Sequence, residues 1–133
     1  EPRRYATLEE AAAQMRKRNQ RLPPDLALHL ASHGARRNPD GTFTWKFDPY
    51  QRVMGPHRLW PDDHVALWGR IACPTLLMIA EDSMLGRSGA TDGLPAYFQR
   101  ARMEKVADAG HWLHHDKPEQ VLGSIRAFLA EPA

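Results

Sequence analysis

Cys73-Pro74-Thr75-Leu76-Leu77-Met78-Ile79-Ala80 is the stretch on which the fold turns. Proline cannot donate to a strand ladder, so Pro74 belongs at the entrance of an element rather than inside one. After Thr75 comes an unbroken apolar run, closed by the acidic pair Glu81-Asp82. A run this short and this continuous suits a strand covered on both faces, as in a parallel sheet. Toward the C-terminus, Glu81 to Gly93 reads as a loop rich in glycine and acid, Leu94 to Arg100 as a short helix, and Arg102 to Val106 as a second strand. Asp108-Ala109-Gly110-His111 follows as a loop. Asp116, Pro118 and Glu119 open a final helix whose apolar face is Val121, Leu122, Ile125, Phe128 and Leu129. Strand, helix, strand, helix is an α/β order. Two parallel strands do not make a stable sheet, so their flanks are expected to be covered by strands this chain does not carry.

Toward the N-terminus the texture is helical. Thr7 and Glu10 form a capping box, and Leu8, Ala11, Ala12 and Met15 make one narrow apolar stripe. Arg16, Lys17 and Arg18 suit the negative end of that helix. Pro23-Pro24-Asp25 opens a second helix with Leu26, Ala27, Leu30 and Ala31 on one face and Gly34 as its stop. Asn38-Pro39-Asp40-Gly41 is a turn. Phe43, Trp45 and Phe47 then alternate with Thr44 and Lys46, a strand with one apolar face. Pro49 to Pro61 is irregular, punctuated by Gly55-Pro56. Asp62 and Asp63 sit in the first turn of a short helix ending near Trp68-Gly69.

Composition narrows the function classes. The length, 133 residues, fits one ordinary domain. Lys and Arg number 18 against 16 Asp and Glu, a net charge of +2, which is no electrostatic footprint for nucleic acid. The basic runs Arg16-Lys17-Arg18 and Arg36-Arg37 are offset by Glu9, Glu10 and Asp25. No apolar run approaches the roughly 18 residues that read as a membrane helix. The single cysteine, Cys73, excludes an internal disulfide or a Cys-rich metal site, and its place before Pro74 reads as a small buried residue. No secretory signal is visible, so a cytoplasmic protein is expected.

The ordered set Cys73 to Ile79, then Gly110-His111-Trp112-Leu113-His114-His115-Asp116, then Pro118-Glu119 and a closing helix ending Ala127-Phe128-Leu129, resembles the C-terminal end of the α/β-hydrolase fold. The resemblance spans about half the chain. It implies an α/β fold: residues 71–133 as the C-terminal part of the hydrolase's parallel sheet, preceded by residues 1–70 as a mostly helical, cap-like segment. It also implies that His111 is the triad histidine, presented on the loop after the last strand. A triad histidine must meet the nucleophile with one nitrogen and an orienting acid with the other, which suits a loop at the carboxyl edge of a sheet. Gly110 is expected to permit an unusual backbone turn before the imidazole, and Trp112 to line the substrate pocket.

The acid has more than one candidate. The family pattern puts it three residues after a glycine at the strand end, and that slot holds Ser83 here, with Asp82 one residue early and Glu81 two. Other members carry the acid after an earlier strand, which would lie before Glu1. Asp82 and an upstream acid both stand as readings, while Asp92 reads as a turn residue. His111, His114, His115 and Asp116 form a pattern a metal would accept, but no second ligand group accompanies them, so no metal is expected. No cofactor is implied. The family's Gly-x-Ser-x-Gly nucleophile elbow is not found; Ser32, Ser83, Ser88 and Ser124 stand in other contexts. The expectation is therefore the C-terminal half of a hydrolase acting on an ester or similar small substrate. Its Ser or Asp nucleophile would lie on an N-terminal half present as a separate or cleaved chain, in keeping with a first residue that is Glu1. A non-catalytic module of the same fold, binding a ligand or partner, is the alternative.

Overall fold

The N-terminal helices form for the local reasons their sequence suggests. The Thr7 hydroxyl accepts from the Glu10 amide at 3.2 Å, and the Glu10 carboxylate reaches one residue past the cap to accept from the Ala6 amide at 2.8 Å. Helix α1 then runs Leu8–Arg18 and α2 runs Pro24–Gly34. The computed structural model describes residues 2–52 and 60–132, so the expected Gly55-Pro56 punctuation lies outside the described residues. Close contacts divide the chain into two units, 1–58 and 59–133.

In the first unit, Ala11, Ala27 and Ala31 are fully buried, and Leu8, Met15, Leu26 and Leu30 pack around them. Leu22, in the connection between α1 and α2, is the largest fully buried side chain there, with Tyr5 nearly as enclosed. A hairpin follows: β1 (Ala35–Arg37) pairs antiparallel with β2 (Phe43–Trp45), with Gly41 in the left-handed region at φ +85° in the turn. Two expectations change here. Arg36 and Arg37 read as charge, yet they form a strand. The strand at 43–47 stops at Trp45, Phe47 is exposed, and its most buried residue is Thr44. The Thr44 hydroxyl donates to the Asn38 side-chain oxygen at 3.2 Å, which permits its burial. Phe43 also exchanges two backbone bonds with Tyr5, at 2.9 and 2.8 Å, so β2 is flanked on both edges. The Trp45 indole donates to the Tyr5 hydroxyl at 3.1 Å, and its ring lies 3.3 Å from where a side chain on Gly34 would begin.

The second unit opens with α3 (Pro61–Trp68), whose Asp63 carboxylate accepts from the Trp60 amide at 2.8 Å. Trp68 stacks on Phe98 with ring centres 5.6 Å apart, and the Gln99 amide donates to the Gly69 carbonyl at 2.8 Å. These contacts group α3 with residues 71–133, so the division by contacts falls before α3 and the expected boundary after it.

Strand β3 (Thr75–Ala80) pairs in parallel with β4 (Ala101–Val106), Thr75 opposite Ala101 and Ala80 opposite Val106. Of the six β3 residues only Ala80 is fully covered; Thr75 to Ile79 are half-buried rather than enclosed on both faces. The expected loop after β3 contains a five-residue helix, α4 (Met84–Ser88). Ser83 starts it: its hydroxyl accepts from the Gly86 amide at 2.9 Å and donates to the Ala80 carbonyl at 2.7 Å. The expected helix at 94–100 is a single 3-10 turn, Leu94–Tyr97. The closing segment is two helices, α5 (Leu113–Asp116) and α6 (Pro118–Leu129). The break falls at Lys117 because a residue before proline is disfavoured in the helical region. Ala80, Val106 and Ala109 form the core of this unit, with Met78 and Leu113 against it.

Candidate active site

The carboxyl ends of β3 and β4 lie side by side, and the loops leaving them stay joined. The Glu81 amide donates to the Val106 carbonyl and the Asp82 amide to the Ala109 carbonyl, each at 3.0 Å. The main chain of Asp82 therefore meets the main chain two residues before His111. Asp82 is half-buried, whereas His111 and Trp112 are exposed, their rings edge to face with centres 5.1 Å apart.

The loop that carries His111 is shaped by residues the sequence did not single out for it. The left-handed residue is Asp108, at φ +50°, and not Gly110; the described glycines with positive φ are Gly41 and Gly89. Aspartate tolerates this conformation better than most side chains. The Gly110 amide donates to Asp116 Oδ2 at 2.7 Å, and Lys117 Nζ pairs with Asp108 at 2.7 Å. The turn between closes on itself, with the His115 and Asp116 amides both donating to the Trp112 carbonyl, at 2.8 and 3.2 Å. Asp116 Oδ1 is buried with no hydrogen-bond partner among the described residues. The one sequence signal for this arrangement is Asp116-x-Pro118, which read only as a helix start.

The other site candidates separate cleanly. The Ser83 hydroxyl, in the slot where the family pattern puts the acid, is occupied by its two bonds at the start of α4. His114 and His115 lie on α5 with ring centres 4.1 Å apart. Partial burial and the neighbouring His114 push the His115 pKa below its ordinary value, against the opposing pull of Asp116. Among the described residues no group of three His, Cys, Asp or Glu side chains is arranged to hold a metal ion. Cys73, read as buried, is exposed, because the segment before Pro74 lies outside the small core of this unit. Among the described residues no helix is long and apolar enough to cross a membrane. Chemically, an exposed imidazole beside a loop tethered to a carboxylate-bearing residue is equipped for proton transfer to and from a bound group.

No family model matches the chain. It is 32% identical to the esterase YbfF of Escherichia coli over 91 residues, which cover 64% of this chain and 32% of that protein. It is also 32% identical to the sn-1-specific diacylglycerol lipase ABHD11 of Mus musculus over 92 residues, covering 68% of this chain and 29% of that one. The chain thus spans about a third of the length of the curated relatives it matches. Among solved structures, the M. tuberculosis esterase Rv0045c superposes with a TM-score of 0.81 at 17% identity, over 97% of this chain and 43% of that one. The hypothetical protein PA1622 of Pseudomonas aeruginosa superposes with a TM-score of 0.80 at 25% identity, over 98% and 46%. Fold and sequence together identify the chain as the C-terminal portion of an α/β-hydrolase-fold protein.

Proposed function

We propose that this chain supplies the triad histidine of an α/β-hydrolase that cleaves an ester or similar small substrate. His111 acts first as general base, taking the proton of the attacking nucleophile or water, and then as general acid toward the leaving group. Asp82 orients its imidazole, and Trp112 lines the substrate pocket beside it. The nucleophile, Ser or Asp, lies on the N-terminal half of the same hydrolase, as a separate or cleaved chain. The reading puts the enzyme in the cytoplasm, where an exposed Cys73 stays reduced.

The observation that carries this proposal is the pair of 3.0 Å backbone bonds joining Glu81 and Asp82 to the strand end and loop that lead to His111. They hold a carboxylate-bearing residue and an exposed histidine on joined loops at the carboxyl edge of a parallel pair, where open α/β sheets bind ligands. A second reading, a non-catalytic binding module, draws on Ser83, whose hydroxyl caps α4 where the family pattern carries an acid.

Intact and denaturing mass spectrometry of the purified native protein is the first test. A polypeptide bearing a strand-turn-helix nucleophile is expected, together with hydrolysis of p-nitrophenyl butyrate. His111→Ala should lower that turnover by about 10⁶, as loss of a triad histidine does elsewhere. Turnover unchanged by His111→Ala would overturn the catalytic reading and leave the binding module.

A further inference from the structure

We infer that Asp116 is a positioning residue for His111: its carboxylate fixes the backbone from which the imidazole projects. The inference rests on the proposed catalytic role of His111. Asp116 Oδ2 accepts from the amide of Gly110, the residue immediately before His111, at 2.7 Å. A charge-assisted bond of this length is a strong, directional constraint. It spans the loop, because Asp116 ends α5 while Gly110 precedes it, so the bond ties together the two ends of the segment that contains His111. The neighbouring Lys117–Asp108 pair repeats the tie one step further out, but both partners reach solvent and it is screened. The Asp116 bond is the partly buried one, and its carboxylate is held although Oδ1 is buried with no partner among the described residues. A buried acceptor left unpaired is a cost. The part of this carboxylate that the fold uses is the oxygen directed at Gly110.

Precision at this point matters because proton transfer falls steeply with misplacement of the base by about 1 Å. Losing the bond should therefore slow turnover without changing how the substrate is held.

The test uses the complete hydrolase with p-nitrophenyl butyrate, comparing Asp116→Ala, Asp116→Asn, Asp116→Glu and His111→Ala. Asp116→Ala is expected to lower kcat about 100-fold with KM within about twofold. Asp116→Asn retains an oxygen that accepts from the Gly110 amide and is expected within about fivefold of the unsubstituted enzyme. Asp116→Glu displaces the oxygens by one methylene and should lose about tenfold in kcat, which keeps the inference open to refutation if the alanine variant does not fold. An inactive His111→Ala beside unaffected kcat in Asp116→Ala and Asp116→Glu would overturn this inference alone. So would a KM that rises as far as kcat falls, the mark of lost substrate binding, with kcat in every variant referred to the folded protein counted by circular dichroism. Unchanged turnover in His111→Ala would overturn the proposed function and this inference with it.

Discussion

Residues 1–58 bury Tyr5, Ala11, Ala12, Leu22, Ala27 and Ala31 in one cluster, closed by Phe43, Trp45 and the larger side chains of α1 and α2. Among the described residues of 59–133 the buried cluster is Ala80, Val106 and Ala109, with Val121 buried apart from it, while Met84, Leu85, Leu122, Ile125 and Leu129 stay exposed. The first unit is held by side-chain packing, with alanines letting two helices approach closely. The second owes its local order to backbone bonds and caps: the parallel β3–β4 ladder, the Ser83 start of α4 and the Gly110–Asp116 tie. The candidate chemistry sits in the second. A thin core is enough for a site when the loops that carry it are pinned by hydrogen bonds, and such bonds define a position more sharply than apolar contact does. This chain spans just under half of the two solved structures on which it superposes.

Asp82→Asn probes the pinned loops most severely. If Asp82 orients His111, the change should lower kcat by about 10⁴, the loss seen when a triad acid becomes an amide. The Asp82 amide bond to Ala109 is main chain and survives the substitution, so the fold should persist by circular dichroism. A fall under about tenfold would move the acid to an earlier strand and reduce the joined loops to scaffolding.

Leu22→Ala attacks the packed unit. Leu22 is 2% exposed, and removing its buried methyl groups should cost about 3 kcal/mol. Hydrogen exchange should then rise across α1 and α2 and leave β3 and β4 as they were. Equal loss of protection in both units would show that the first does not stand on its own packing. Gly86→Ala is the counterpart in the second unit. A side chain there would begin 2.1 Å from the Ala80 carbonyl oxygen and 2.8 Å from that of Glu81, both backbone atoms that cannot swing aside. About 2 kcal/mol of strain is expected, read as faster exchange over residues 80–88 and lower turnover. Unaltered exchange there would mean that α4 shifts freely and that the Asp82 loop is less rigid than its bonds suggest.

How much of this was legible in the sequence follows the same division. The 73–80 run announced β3 because continuous apolar residues leave few other placements. The α1 and α2 stripes were legible because helical periodicity is local, and Thr7 and Pro24 mark their starts. Strand β1 was not, since Arg36 and Arg37 become a strand only by pairing with Thr44 and Phe43 across the turn. Thr44 looked solvent-facing because its partner Asn38 is brought to it by the hairpin. In the candidate site, the order along the chain and the family pattern nominate His111, and Asp82 beside an acid upstream of Glu1. The roles of Ser83, Asp108 and Asp116 depend on bonds to Gly86, Lys117 and Gly110 that spacing alone does not announce. Gly110 was credited with a turn that Asp108 makes.

The smallest expected effect is on pH dependence, and it too separates the units. The folded His115 has a pKa below its ordinary 6.5, first because partial burial penalises the charged ring and then because His114 is adjacent. In the unfolded chain the ring takes up its proton near 6.5, so on acidification the unfolded state binds protons before the folded state does. Stability must therefore fall as pH drops from about 6.5 toward the lowered folded value, and this contribution levels off below it. Because much of the ring meets solvent, the loss should stay under about 1 kcal/mol. Exchange measured at about pH 7.5 and about pH 5.5, after correction for the intrinsic rate, should show α5 and the His111 loop opening more easily in acid. His115→Gln should flatten that difference while leaving residues 1–58 as they were. An undiminished acid effect in His115→Gln would transfer it to other histidines, with His114 on the same helix the first to substitute.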